Sequence, residues 1–98
     1  MVINGVCNNV NVLYVKSTQG KKDPSKTYYS VGLWFVDDNE AGEIPCNEEI
    51  FKVCKPISDE KNIQKKMATI FNFETSYNTQ WQTFQLTSVL NKVDADKK

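Results

Sequence analysis

The sequence predicts a small, mainly β domain. Its apolar residues recur chiefly at period two, which is the spacing of a strand with one buried face. β-Branched and aromatic residues dominate those runs. At 98 residues the chain holds one modest core and no second one.

The elements follow in order. Val2, Val6, Val10 and Val12 share one parity, and Leu13 and Val15 bring in the other face. Residues 2–15 therefore read as one long bent strand, or two strands split near Asn8-Asn9, with Gly5 able to admit a bulge. Residues 16–26 (KSTQGKKDPSK) hold no buried-type side chain. With Gly20 and the Asp23-Pro24 turn signal they read as a loop. Residues 27–36 (TYYSVGLWFV) form the clearest strand: Tyr29, Val31, Leu33 and Phe35 make one apolar face, and Tyr28, Ser30, Gly32, Trp34 and Val36 the other. The acidic stretch 37–49 reads as a turn-rich connection. A third strand is expected over residues 49–55, with Phe51 and Val53 inward and Lys52 outward, stopped by Pro56. Ser58 then offers an N-cap, Asp59 and Glu60 suit the positive end of a helix, and Lys65 and Lys66 the negative end, so a short helix is expected over 59–66, anchored by Ile63 and Met67. Residues 68–74 put Thr69, Phe71 and Phe73 on one side of a strand. The stripe Ile63, Met67 and Ile70 would also fit a continued helix, but the Thr-Ile-Phe-Asn-Phe chemistry favours the strand. Residues 75–80 read as a polar loop and 81–89 as a last alternating strand with Phe84 and Leu86 on one face. The order is strand, strand, strand, short helix, strand, strand. It predicts a five-stranded OB-type barrel with one short helix between strands 3 and 4, occupying residues 1–92 and followed by a short charged tail, 93–98. A small SH3-like barrel or an open α+β sheet is the alternative.

Composition narrows the chemistry. All twelve cations are Lys, and the chain has neither Arg nor His. That removes His-based nucleophilic triads and zinc or facial-triad iron sites built on His, and it removes the bidentate guanidinium fork. Cys7, Cys46 and Cys54 are an odd set without CxxC spacing, so reduced buried thiols are expected rather than a disulfide framework or a metal site. The pairs Asp37-Asp38 and Glu48-Glu49, if extended, point to opposite strand faces, and the acidic stretch lacks the spacing of an EF-hand. The four glycines are too scattered for a phosphate-binding loop. No enzyme activity, no cofactor and no metal are expected. Without an apolar signal segment or a run near the ~20 residues that span a bilayer, the expectation is an intracellular protein that does not engage a membrane.

The net charge of zero conceals segregation. Residues 1–36 carry four Lys and one Asp, residues 37–49 six acids and no cation, and residues 50–98 eight Lys and five acids. Lysines interleaved with outward aromatics are what sequence-tolerant recognition of single strands needs, since cations track phosphates and flat rings stack bases at roughly 1–3 kcal/mol each. In an OB barrel the loop between strands 1 and 2, the loop between strands 4 and 5, and the face of strands 2 and 3 bind oligonucleotides. The first loop region would supply Lys16, Lys21, Lys22 and Lys26, the face Tyr28 and Trp34 with Lys52 outward on the next strand, and the second loop Tyr77 and Trp81. Tyr28 and Trp34 are six residues apart, about 20 Å by strand rise, with small Ser30 and Gly32 leaving the surface between them open.

The run GKKDPSKTYYSVGLWFVDDNE, residues 20–40, resembles the second-strand region of the filamentous-phage single-stranded-DNA-binding, or helix-destabilising, proteins. It shares a basic loop, a Gly-Lys, a Tyr-Ser, an aromatic-Val-Asp strand end and an acidic turn. Residues 81–89 are similar in character to that family's last strand. The resemblance implies an OB-type barrel that dimerises and coats single strands without reading sequence in replication or recombination, with the family's loop lysine on Lys21 or Lys22 and its strand tyrosine on Tyr28 or Tyr29. The chain departs from the family in lacking arginines and in the expected helix near 59–66, so the broader group of phage and mobile-element single-strand binders fits better, with the host cytoplasm as its setting. The expected partners are single-stranded DNA, or RNA, and a second copy of the chain. The competing reading is a small barrel that binds another protein of replication, or a host protein, through Trp34 and the acidic segment.

Overall fold

A computed structural model describes residues 2–94. Alternating apolar residues place strands β1 (Val2–Ile3), β2 (Val6–Gln19), β3 (Thr27–Phe35), β4 (Glu40–Cys46), β5 (Thr69–Asn78) and β6 (Thr83–Asp94), with helices α1 (Glu48–Ser58) and α2 (Ile63–Ala68) between β4 and β5. The sheet order is β1-β2-β3-β4-β6-β5, and β5 pairs again with β2, so β2 to β6 close a five-stranded barrel. All pairings are antiparallel except β4 with β6, which run parallel and meet at Cys46 and Leu86. This is the predicted OB-type barrel, with helix between its third and fourth strands.

The core is the inward parity of every barrel strand. Val10 and Val12, Val31, Leu33 and Phe35, Cys46, Phe71 and Phe73, and Leu86 are buried together with Cys7 and with Ile50 and Cys54 of α1. Phe71 and Phe73 stack 5.1 Å apart. Burial of each large apolar side chain contributes about 1.5–3 kcal/mol. β2 is long because it serves both ends of the sheet. It pairs with β5 as far as Val10 and with β3 from Val10 onward. The change of partner needs a bend, and Asn9, with φ 55°, sits in the register shift between Cys7 and Val10. The expected break near Asn8-Asn9 is thus a bulge within one strand. The separate short strand is β1, turned back by Asn4 and Gly5, both at positive φ, which is the backbone of a two-residue hairpin turn.

Four expectations are corrected. First, residues 40–46 of the acidic stretch are a strand, β4. It carries Pro45 and three glutamate or glycine positions because it pairs fully only with β3 and touches β6 at one rung; such residues belong on a half-paired edge. Second, residues 49–55 are helical. Ile50 and Cys54 are buried and Phe51 and Ile57 pack on the core, a helical spacing, while Val53 is exposed and not inward. Asn47 caps α1, its side chain accepting from the Ile50 N–H at 2.9 Å, and Pro56 sits inside the last turn, where it cannot donate to the Lys52 carbonyl and helps to end the helix. Third, the insert is two helices, and 59–62 is the joint between them. Ser58 ends α1, its hydroxyl accepting from the Val15 N–H, and Asn62 caps α2. Fourth, the last hairpin is shifted: β5 runs on to Asn78, Trp81 lies in the turn, and β6 extends to Asp94. Val93 and Asp94 of the expected tail are therefore paired strand residues, opposite Ile70 and Thr69, and 95–98 lie outside the described residues.

Candidate nucleic-acid interface

Cross-strand register builds a grid on the solvent face of β2, β3 and β4. Thr18 stands opposite Tyr28; Lys16 opposite Ser30, which is opposite Pro45; and Tyr14 opposite Gly32, which is opposite Glu43. A register shift between Val12 and Tyr14 turns the Tyr14 side chain onto this face. Its ring lies across Gly32, where any Cβ would overlap it, and its hydroxyl donates to Glu43 Oε1 at 2.8 Å. That hydrogen bond, with burial and the Glu43 charge adding to it, raises the Tyr14 hydroxyl above its usual pKa. The surface at Gly32, expected to be open, is therefore occupied.

Beyond Tyr14 the face opens into a groove of about 350 Å³, lined by Lys16, Thr18, Tyr28, Tyr29, Ser30, Glu43, Pro45 and Trp81. Trp81 arrives from the far side of the sequence. The β5–β6 turn, closed by Asn78 opposite Thr83 and fastened by the Trp81 N–H to Asn78 Oδ1 at 3.1 Å, sets its indole edge-on to Tyr28, ring centroids 5.6 Å apart. Both rings keep about two fifths of their surface, Tyr28 40% and Trp81 39%. Tyr29 alternates inward, its ring tilted against Phe51 with centroids 4.7 Å apart, and donates to Glu48 Oε1 at 3.3 Å. Burial, then the Glu48 charge and hydrogen bond, raise its hydroxyl.

The β2–β3 loop borders the groove through Thr18 and Tyr28. It is an ordered turn: the Gly20 N–H donates to the Lys26 carbonyl at 2.9 Å, the Lys26 N–H to the Asp23 carbonyl at 3.0 Å, and Asp23 Oδ1 accepts from the Ser25 N–H. Lys21, Lys22 and Lys26 project from it, exposed. Among the described residues these three and Lys16 form no ion pair.

Of the nine residues expected to bind, Lys16, Tyr28 and Trp81 meet in the groove, and Lys21, Lys22 and Lys26 stand at its end. Three are elsewhere. Trp34 is half-buried on β3 between Asn11 and Ala41, on the far side of the Tyr14 ring. Tyr77 pairs edge-on with Phe84 at 5.3 Å on the β5–β6 hairpin. Lys52 rides on α1, 4.0 Å from Glu48, because its segment is helix and not strand. Glu43 and Tyr14 escaped the sequence reading. Glu43 sits in a strand whose composition disguises it, and the bulge before Tyr14 breaks the alternation that would have shown its face.

The groove offers two π faces, one lysine and one carboxylate. Among the described residues no group of three Cys, Asp or Glu is placed to hold a metal ion. The cysteines are buried: burial pushes the Cys46 thiol up to about 11 and the Cys54 thiol up to about 12, and raises Cys7 as well. No helix of the described residues is long and apolar enough to cross a membrane. No protein-family model matches the chain, and no curated protein or solved structure matches it significantly.

Proposed function

We propose that the chain binds single-stranded nucleic acid without catalysing a reaction, taking bases onto Tyr28 and Trp81 and phosphates onto Lys16 and the lysines of the β2–β3 loop. The observation that carries this reading is the convergence of the two rings. Residues 53 positions apart in sequence meet beside unpaired lysines, on the face and loops where OB barrels take oligonucleotides. Base stacking on such rings is sequence-tolerant because every base has a π face. An intracellular role in replication or recombination belongs to the same proposal, as does the homodimer implied by the phage-protein resemblance, which sedimentation equilibrium reads independently.

The test is a titration of tryptophan fluorescence with oligo-dT of about 12 nucleotides. Quenching is expected, and Trp81→Ala is expected to abolish most of it and to weaken binding about tenfold, as loss of one stacked base requires. Log affinity should fall with log salt at about −0.7 per phosphate contacted. Unchanged fluorescence and no mobility shift at ~20 mM salt, where such binding is strongest, would reject the reading. The protein-interaction alternative rests on Trp34 and the acidic segment, and the half-burial of that ring leaves it less surface to offer.

A further inference from the structure

We propose that Glu43 makes the groove selective among bases, favouring guanine over thymine. This rests on the single-strand reading and deepens it. Among the described residues Glu43 is the one carboxylate lining a groove whose other walls are rings, a lysine and small polar or apolar residues. It is also positioned: the Tyr14 hydroxyl donates to its Oε1 at 2.8 Å, and the Tyr14 ring rests over Gly32, where no side chain stands in its way. Tyr14 is thus a positioning residue.

A fixed carboxylate is an acceptor-only group. A base unstacked from its neighbours and laid on Tyr28 or Trp81 presents its Watson–Crick edge to the protein. Guanine offers two adjacent donors there, N1–H and the 2-amino group, which match the two oxygens of a carboxylate. Cytosine and adenine offer one amino donor beside an acceptor nitrogen. Thymine flanks its single N–H with two carbonyl oxygens, which a carboxylate repels. Lys16 stands one row from Glu43 in the register and forms no ion pair with it, so the carboxylate is not already neutralised and the lysine remains for a phosphate.

The experiment compares oligo-dT with the alternating dT/dG oligomer of equal length, and with its dT/deoxyinosine counterpart, by fluorescence anisotropy at fixed salt. The dT/dG oligomer is expected to bind about tenfold tighter than oligo-dT, the lower part of the range for a good bidentate base contact. Deoxyinosine, which keeps N1–H and lacks the 2-amino group, should lose most of that gain. Glu43→Gln should bring the guanine-to-thymine ratio to about one and raise oligo-dT affinity, since the charge that repels thymine and phosphate has left the groove. Tyr14→Phe, which keeps the ring over Gly32 and drops only the hydroxyl, should reduce the ratio several-fold with oligo-dT affinity unchanged. Equal affinity of the wild-type protein for oligo-dT and the dT/dG oligomer overturns the selectivity and leaves single-strand binding standing. A preference that survives Glu43→Gln overturns the role of Glu43. Failure to bind any oligomer overturns both readings together.

Discussion

Gly32 decides more of this surface than its size suggests. Its missing side chain is the space into which the Tyr14 ring lies, and that ring in turn holds Glu43. Gly32→Ala forces the ring off the sheet. Tyr14 is exposed enough to swing outward, so the barrel should survive with the cost of lost packing and one hydrogen bond, about 1–2 kcal/mol. A urea midpoint shifted by that amount, with Tyr14→Phe shifted by less, is the expected pattern. An unshifted Gly32→Ala midpoint would mean that the ring does not rest on residue 32. The pair also marks the limit of reading single residues from sequence. Tyr28 and Lys16 lie where alternation and the loop put them, because nothing intervenes between pattern and face. Tyr14 does not, because one irregular step after Val12 changes its side, a switch that Leu13 and Val15 mark in the sequence without fixing which side chain it turns outward.

At the scale of elements, the strands with an unbroken inward parity were legible: β3, the Phe71-Phe73 core of β5, and the register of Leu86. Apart from the shifted β5–β6 hairpin, the departures lie in the stretch from β4 to α2, where two physical signals conflict. β4 is an edge strand carrying Pro45, Gly42 and glutamates, which is loop-like chemistry that half-pairing tolerates. α1 is a helix whose apolar stripe, Ile50, Cys54 and Ile57, is short and interrupted by Pro56, while its Phe51 and Val53 also fit an alternating strand. Asn47 resolves the conflict in the folded protein. Its Oδ1 accepts from the Ile50 N–H at 2.9 Å while its Nδ2 donates to the Thr87 carbonyl at 3.0 Å, starting the helix and tying it to β6 at once. Asn47→Ala should therefore cost more than a simple cap, about 1–2 kcal/mol, and Asn47→Asp, which keeps the acceptor and loses the donor, should fall between it and wild type. Thermal or urea unfolding reads the order. If Asp proves as damaging as Ala, the tie to β6 dominates; if Ala costs nothing, α1 is fixed by its apolar face alone.

Across the whole molecule, neutrality is a sum of opposed regions. Closure of the barrel through β2 and β5 brings the β2–β3 loop and the β5–β6 turn to one groove, so local lysines rather than total charge serve binding, and long-range steering is weak. The same closure buries the three thiols, and this gives the fold a distinct response to alkali. Cys46 and Cys54 are raised from an ordinary 9.0 to about 11 and about 12, in both cases chiefly by burial. Between those limits the folded protein keeps protons that the unfolded chain releases, so unfolding is favoured as pH rises. Below pH 9.0 both states hold the protons and the contribution is fully present; it is lost as pH climbs through 9 toward the folded values. The urea midpoint should accordingly be flat from pH 7 to about 8.5 and fall above it. The decisive comparison is with Cys54→Ala. That variant is less stable at neutral pH, having lost a buried sulfur, yet it should lose less further stability between pH 8 and about 10. Parallel pH profiles for the two proteins would show that the buried Cys54 thiol does not carry the alkaline loss.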